Sequence, residues 1–218
     1  MRPPLSKMHE PSDGPFLDDI CRYYSSKIAE FGETPRGVDW NSGDSQVLRF
    51  IQLCNVILPG METFSINDLG CGYGALIEFL IQKWPQLHYT GIDISDEMIR
   101  VASARYAARQ EARFIKASRP DTISDYGLAS GVFNVRLGHS ESEWNNYMQH
   151  TLDILNSTSR LGFAFNCLTS YSDDDRKQDY LYYADPCMFF DLCKRRYSRN
   201  VALFHDYGLF EFTIIVRK

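Results

Sequence analysis

The sequence predicts an α/β protein with a doubly wound, seven-stranded and mostly parallel sheet that ends in an antiparallel hairpin. Short apolar runs alternate with amphipathic stretches after Gly60, which is typical of strands joined by crossover helices. A glycine-rich turn joins the first run to the first amphipathic stretch. The last two β-rich runs are too close together for a helical crossover, so they are expected to pair antiparallel.

Length and composition indicate a globular chain with one main core. The chain has 218 residues, of which 44% are hydrophobic and 23% charged, and no apolar run is long enough for a membrane span. Its formal net charge of -5 disfavours a protein that binds nucleic-acid phosphates. We therefore expect neither a nucleic acid nor a membrane as a partner. The sequence leaves the oligomeric state open.

The cysteines predict a cytoplasmic protein with reduced thiols. None of the six forms a C-x-x-C pair, and no apolar leader follows the first basic residue. The five histidines do not pair with cysteines at zinc-finger spacing, so no metal site is expected.

The chain is predicted to have three parts. Residues 1–15 contain four prolines and are expected to form a flexible arm. Residues 16–62 carry two helical patterns, the first from Phe16 to Phe31 and the second capped by Asp44 or Ser45 and stopped by Pro59-Gly60. We interpret these helices as a lid. Residues 63–218 form the main α/β core.

Elements of the core follow from the alternation in chain order. Strands are predicted at Phe64–Leu69, His88–Ile94, Ala112–Ala117, Tyr126–Val135, Leu161–Cys167, Val201–Tyr207 and Phe210–Arg217. Helices are predicted at Ala75–Trp84, Asp96–Ala108, Glu141–Asn156 and Pro186–Tyr197. A further helix is expected to start near Arg176.

The glycine-rich turn has two interpretations. Gly70-x-Gly72-x-x-Ala75 with Asp93 about twenty residues further on satisfies the dinucleotide fingerprint and so permits an NAD-binding oxidoreductase. Loop N–H groups would then face the ligand at a helix N-terminus. However, Asp68 precedes the loop and would repel a pyrophosphate, whereas it would attract a cationic amino-acid group.

Three features together resemble the class I S-adenosylmethionine-dependent methyltransferases, a Rossmann-like family. They are Asp-x-Gly-x-Gly-x-Gly from Asp68 to Gly74, the run Tyr89–Ser95 that contains Asp93, and the terminal hairpin. The resemblance implies S-adenosylmethionine as cofactor, S-adenosylhomocysteine as product, and residues 63–218 as the methyltransferase core.

The resemblance also implies a set of cofactor-binding residues. Asp68, Gly70, Cys71, Gly72 and Gly74 would hold the methionine part, Asp93 the ribose, and Ile94 and Met98 the adenine. The acid that the family often has after its third strand is replaced here by Ala117 and Ser118. Asn134, at the end of the fourth strand, and Trp40 complete the set. Trp40 either closes the lid over the cofactor or anchors the N-terminal helices to the core.

The methyl acceptor is predicted to lie beyond the carboxyl ends of the strands, where open α/β sheets bind their ligands. Candidate segments are residues 37–42, 134–139 and 166–171, and the aromatic run 180–186 could form a wall of the pocket. The C-terminal half resembles small bacterial methyltransferases of polysaccharide and specialised-metabolite pathways. This resemblance implies a small-molecule acceptor.

His139 is the candidate catalytic base, because it follows the fourth strand and imidazole titrates near neutral pH. The alternative is that His139 belongs to the cap of the helix that begins at Glu141. His205 is a second candidate base, although a hairpin histidine is more often structural. Asp173-Asp174-Asp175 is interpreted as a solvated charge run and not as a magnesium site.

The function predicted from the sequence is methylation of a small polar molecule at oxygen or nitrogen by an S-adenosylmethionine-dependent enzyme. The alternatives are a catalytically inert, cofactor-binding regulatory subunit and an NAD-binding oxidoreductase.

Overall fold

A seven-stranded sheet organises the molecule, which is known from a computed structural model that describes residues 15–40 and 42–218. The predicted arm lies outside these residues up to position 14. The strand order is β3-β2-β1-β4-β5-β7-β6, parallel throughout except for β7, which runs antiparallel to both of its neighbours. The predicted doubly wound sheet with a terminal antiparallel pair is therefore confirmed.

Helices and strands alternate through the core as the sequence pattern predicts. The strands are β1 (Ser65–Leu69), β2 (His88–Asp93), β3 (Ala112–Lys116), β4 (Ser124–Ala129), β5 (Ser159–Leu168), β6 (Asn200–Phe204) and β7 (Glu211–Arg217). The helices are α1 (Pro15–Phe31), α2 (Gly43–Cys54), α3 (Ala75–Lys83), α4 (Asp96–Arg105), α5 (Glu141–Ser157) and α6 (Pro186–Arg196).

Two hydrophobic clusters fill the two faces of the sheet. One contains Trp144, Phe163 and Phe165, and the other contains Phe50, Ile66 and Tyr126. Because both faces are covered, β1, β2 and β4 are buried along nearly their whole length instead of at alternate positions. The sheet thus holds the carboxyl ends of β1, β2 and β4 rigidly along one edge.

The two N-terminal helices pack on different parts of the core. Apolar residues of α2 are buried against β5 and β7, whereas α1 lies against α4. The hydroxyl groups of Ser25 on α1 and Ser95 before α4 are 2.9 Å apart. No helix within residues 15–40 and 42–218 is both long and apolar enough to cross a membrane.

Several predicted boundaries were wrong, and local contacts explain the differences. β4 ends at Ala129 and not at Val135, because the chain turns at Gly131, where φ is +76°. α2 is capped by the Ser42 hydroxyl, which accepts from Ser45 N, so Asp44 and Ser45 lie in its first turn. The helix expected near Arg176 is a single 3-10 turn, Asp174–Arg176.

Candidate functional site

A cavity lies beyond the carboxyl ends of β1, β2, β3 and β4, where the sheet order predicts a ligand site. Ten of the predicted cofactor-binding residues line it: Trp40, Asp68, Gly70, Cys71, Gly72, Asp93, Ile94, Met98, Ala117 and Ser118. The structure therefore brings together residues that are up to 78 positions apart in sequence, from Trp40 to Ser118. Their assignment as cofactor ligands remains a prediction.

The glycine loop between β1 and α3 is held by its own backbone N–H groups. Gly70 and Cys71 both donate to the Ile92 carbonyl, at 2.8 and 3.0 Å, and Gly74 donates to the Cys71 carbonyl at 3.0 Å. Gly72 donates to the Asp93 carboxylate at 2.9 Å. The prediction that the N–H groups of this loop face a ligand is therefore wrong for all four of these residues. A pyrophosphate would find few donors here.

Two carboxylates, the buried Asp68 and the half-buried Asp93, give the cavity its electrostatic character. Burial raises the pKa of Asp68 to about 7, although a hydrogen bond from Tyr89 stabilises the ionised carboxylate and lowers that pKa. Burial also raises the pKa of Asp93. Asp93 accepts from Gly72 N and from Ser95 N, both at 2.9 Å. A negative charge on one carboxylate makes ionisation of the other less favourable. The cavity would therefore favour a cationic ligand.

Other residues of the cavity were not predicted from the sequence. Ile20 and Tyr24 reach it from α1, Tyr147 and Thr151 from α5, and Ser130 follows β4. The Ser130 hydroxyl is buried without a hydrogen-bond partner in the described part of the chain. Ser130 could have been predicted as a site residue from its position just after β4. It was missed because the predicted strand, Tyr126–Val135, included it.

Two predicted cofactor-binding residues do not line this cavity. Gly74 is the N-cap of α3, with a φ of +83°. A Cβ at Gly74 would lie 2.8 Å from the Tyr106 ring, so this glycine permits close packing. Asn134 lines a neighbouring cleft, where its side-chain oxygen accepts from Leu168 N at 3.2 Å.

The neighbouring cleft, which we call the acceptor cleft, shares Tyr24, Val38, Trp40 and Gly131 with the cavity. Its other residues come from α2, from the segments after β4 and β5, and from the approach to β7. The run 180–186 contributes Tyr180, Leu181 and Tyr183. All three segments predicted to face the acceptor therefore contribute residues to this cleft.

Trp40 lies where the cavity and the acceptor cleft meet. The Arg49 guanidinium carbon is 3.7 Å from the centroid of the Trp40 ring system. On another side, a Cβ at Gly131 would lie 2.6 Å from Trp40 Cζ2, so only glycine allows this approach. Trp40 thus packs against core residues and also borders both openings, so both roles considered for it are compatible with the structure.

A buried ion pair closes one end of the acceptor cleft. Arg49 donates from Nε to both Glu211 oxygens at 2.8 Å and from Nη2 to Oε1 at 2.5 Å. Asn166 donates to Glu211 Oε2 at 2.8 Å and accepts from Gly131 N at 2.8 Å. This network ties the turn after β4 to α2 and β7.

His139 lines neither the cavity nor the acceptor cleft. Its Nε2 is 3.2 Å from Asp19 Oδ2, and its ring packs edge-on against Phe16 at 4.6 Å between centroids. The cap of α5 is Ser140, which forms a reciprocal capping box with Glu143. His139 therefore links α5 to α1.

Comparison with known proteins identifies the family. Residues 66–158 match a family model described as a methyltransferase domain. Over 162 residues the chain is 59% identical to Rv1506c of Mycobacterium tuberculosis (strain ATCC 25618 / H37Rv), whose name assigns it provisionally to the methyltransferases. The match covers 74% of this chain and 98% of that protein. The chain belongs to the class I S-adenosylmethionine-dependent methyltransferases.

Further relatives of this methyltransferase match over shorter segments. A trans-aconitate 2-methyltransferase of Afipia carboxidovorans is 41% identical over 80 residues, 35% of this chain and 30% of that protein. A malonyl-[acyl-carrier protein] O-methyltransferase of Paenibacillus is 29% identical over 99 residues, 44% of this chain and 35% of that protein. The matched region thus spans about a third of each of these two relatives.

Solved structures of other methyltransferases share the fold of this one. The N-methyltransferase NodS from Bradyrhizobium japonicum, in complex with S-adenosylhomocysteine, superposes with a TM-score of 0.65 at 14% identity, covering 90% of this chain and 97% of that one. Magnesium protoporphyrin IX methyltransferase from Synechocystis gives 0.64 at 13% identity, covering 93% and 99%.

Proposed function

We propose that the cavity binds S-adenosylmethionine through the residues predicted from the sequence that line it. Asp68 would face the ammonium of the methionine part, and Asp93 would accept hydrogen bonds from the ribose hydroxyls. Ile94 and Met98 would pack on the adenine, with Ala117 and Ser118 at its edge. The observation that carries the proposal is the pairing of buried Asp68 with half-buried Asp93 in a cavity whose loop amides are already bonded internally.

The residues present fit this cofactor better than a dinucleotide. S-adenosylmethionine carries an ammonium and a sulfonium, both of which lower the free energy of nearby carboxylates. A pyrophosphate would be repelled by Asp68 and Asp93 and would find four loop N–H groups occupied. The unpaired Ser130 hydroxyl offers a further polar contact in the cavity.

We propose that the acceptor is a small polar molecule, methylated at oxygen or nitrogen, that binds in the acceptor cleft. The shared border at Tyr24, Trp40 and Gly131 supports transfer from the cavity into the cleft. Relatives whose names specify methylation of small acids or at oxygen match only 35% and 44% of this chain, so they support the reaction type and not a particular acceptor.

The chain's contribution to catalysis in this proposal is positioning. The bound cofactor would supply an electrophilic methyl group on sulfur, and an acceptor lone pair would displace the sulfur in line. Residues of α1 and the turn up to Trp40 would cover the reacting groups and exclude water. They would thus act as part of the lid that the sequence predicts at residues 16–62. No histidine lines either opening in the described residues, so His139 supplies no base in this proposal.

Calorimetry and a labelling experiment test the proposal. S-adenosylhomocysteine is expected to bind and NAD is not. Protein incubated with methyl-labelled S-adenosylmethionine and fractionated metabolites should then yield one reproducible labelled product. Binding of NAD alone would contradict the cofactor assignment, and cofactor binding without any product would favour an inert regulatory subunit.

We also propose a cytoplasmic location, supported by the free state of all six cysteines.

A further inference from the structure

Arg49 has one guanidinium nitrogen without a partner. Nε and Nη2 both donate to Glu211, whereas Nη1 is buried and has no hydrogen-bond partner in the described part of the chain. The side chains of Arg49 and Glu211 are only 7% and 1% exposed. A buried N–H group of a charged side chain without an acceptor is unfavourable, so its persistence points to a ligand that supplies one.

The Glu211 contact holds this nitrogen in place. A guanidinium is planar, so two donors fixed on one carboxylate also fix the direction of the third nitrogen. Trp40 stacks on the face of the guanidinium, with 3.7 Å between the guanidinium carbon and the ring centroid. Arg49 lines the acceptor cleft and not the cofactor cavity, so a ligand group that reaches the buried Nη1 would enter from the acceptor cleft.

The charges of the cleft favour an anionic group. Its two carboxylates already have cationic partners, since Glu211 is paired with Arg49 and Asp39 is 2.8 Å from Lys27. Arg176 also borders the cleft, with Nε 3.9 Å from the Asp173 carboxylate and the guanidinium carbon 5.7 Å from the centroid of the Phe210 ring. A negative ligand group near Nη1 would therefore meet no unpaired acid among the residues that line the cleft. It would gain a hydrogen bond from the paired Arg49 and a longer-range attraction to Arg176.

We propose that Arg49 binds a carboxylate of the methyl acceptor through Nη1, and that Arg176 lies on the path by which this group enters. Three tyrosines also line the cleft: Tyr24, Tyr180 and Tyr183. The chemical class is therefore a small carboxylate with a flat or unsaturated body. This inference rests on the proposed function, because it assumes that the cleft receives the acceptor.

The test uses two probes of the same shape. Protein saturated with S-adenosylhomocysteine is titrated by calorimetry with benzoate and, separately, with benzamide, which is neutral. Benzoate is expected to bind at least roughly tenfold more tightly, because charge-assisted bonds to arginine exceed neutral ones. Equal binding of the two probes, or no binding of benzoate at tens of millimolar, overturns the proposal.

Two variants locate the probe. Arg49→Lys keeps a cation beside Glu211 but removes the planar third nitrogen, so benzoate affinity should fall roughly tenfold or more. Arg176→Gln changes an exposed side chain and should weaken benzoate two- to fivefold at low salt. The difference from the wild type should shrink in high salt, because salt screens the attraction that only the wild type has. The affinity for S-adenosylhomocysteine, measured in the same experiments, shows that each variant is folded.

Failure of this inference can be distinguished from failure of the proposed function. If metabolite fractions are separated on an anion exchanger, labelled methyl should be transferred mainly to compounds that the exchanger retained. Transfer only to unretained compounds contradicts the carboxylate and leaves the methyltransferase proposal standing. Benzoate binding that depends on Arg49, without transfer to any fraction, supports the anion site and contradicts the proposed acceptor reaction.

Discussion

The phenol of Tyr89 donates a 2.5 Å hydrogen bond to the Asp68 carboxylate. Both side chains are buried, with Tyr89 1% and Asp68 2% exposed. Tyr89 is on β2 and Asp68 is on the adjacent β1, so the sheet register brings the donor to the acid. The bond lowers the pKa of Asp68 and partly offsets the effect of burial. Tyr89 thus lowers the pH at which Asp68 ionises.

We expect S-adenosylhomocysteine affinity to increase with pH up to about 7. Asp68 must be ionised to attract the ligand's ammonium, and its pKa in the ligand-free protein is about 7. Below that pH, affinity should fall by up to about tenfold per pH unit. Calorimetry between pH 5 and 8 measures this dependence. An affinity that is constant over the whole range would contradict the assignment of Asp68.

Tyr89→Phe should shift the pH dependence to higher pH. Loss of the hydrogen bond removes a stabilising contact from the carboxylate, so the pKa of Asp68 rises further. At pH 6.5 the affinity should therefore fall several-fold, whereas at pH 9 it should approach that of the wild type. A loss of equal size at both pH values would indicate a packing defect instead.

The stability of the ligand-free protein should fall as the pH rises from about 4 to about 7. The pKa of Asp68 is 3.8 in the unfolded chain and about 7 in the fold, so in this window the folded state holds a proton that the unfolded state has lost. The free energy of unfolding then decreases with pH, by at most about 1.4 kcal/mol per unit from this group. Asp68→Asn should remove its share of the dependence. Urea titrations of both proteins check the slope.

Asp93→Ala should weaken both ligand binding and stability. Its carboxylate holds Gly72 N and Ser95 N, so the alanine leaves two backbone donors without their acceptor. We expect a loss of about 1.5 to 3 kcal/mol in the free energy of unfolding and a fall of roughly tenfold or more in S-adenosylhomocysteine affinity. Unchanged affinity in a folded variant would show that Asp93 does not contact the cofactor.

Local motifs made the cofactor cavity predictable, because Asp68, the glycine loop and Asp93 lie within 26 residues and share one strand-turn-helix unit and the next strand. The acceptor cleft was less predictable. Arg49 and Glu211 are 162 positions apart, and nothing in the local sequence of either indicates the other. Ser130 was assigned to a strand because its neighbours are apolar, whereas the positive φ of Gly131 ends β4 before it.

Gly131→Ala should disturb both openings through Trp40. A Cβ would lie 2.6 Å from the indole, and the φ of +76° is unfavourable for alanine. We expect a loss of about 1 to 3 kcal/mol in stability and a several-fold fall in S-adenosylhomocysteine affinity. Gly60→Ala is the matched control, because its φ of +82° is equally unfavourable for alanine and nothing lies within 4 Å of its Cβ. Trp40→Ala in the Gly131→Ala background should recover part of the stability, and failure to do so would contradict the steric explanation.

His139→Gln should leave methyl transfer and its pH profile intact. The side chain is 18% exposed and contacts Asp19 and Phe16 outside both openings, so it has no path to an acceptor proton. Stability should fall by about 1 kcal/mol through the lost contact between α1 and α5. Ser140→Ala, which removes the adjacent helix cap, should lower stability by about 0.5 to 2 kcal/mol with equally little effect on rate. A roughly 100-fold lower rate in His139→Gln alone, with loss of the alkaline rise in rate, would instead establish His139 as the base.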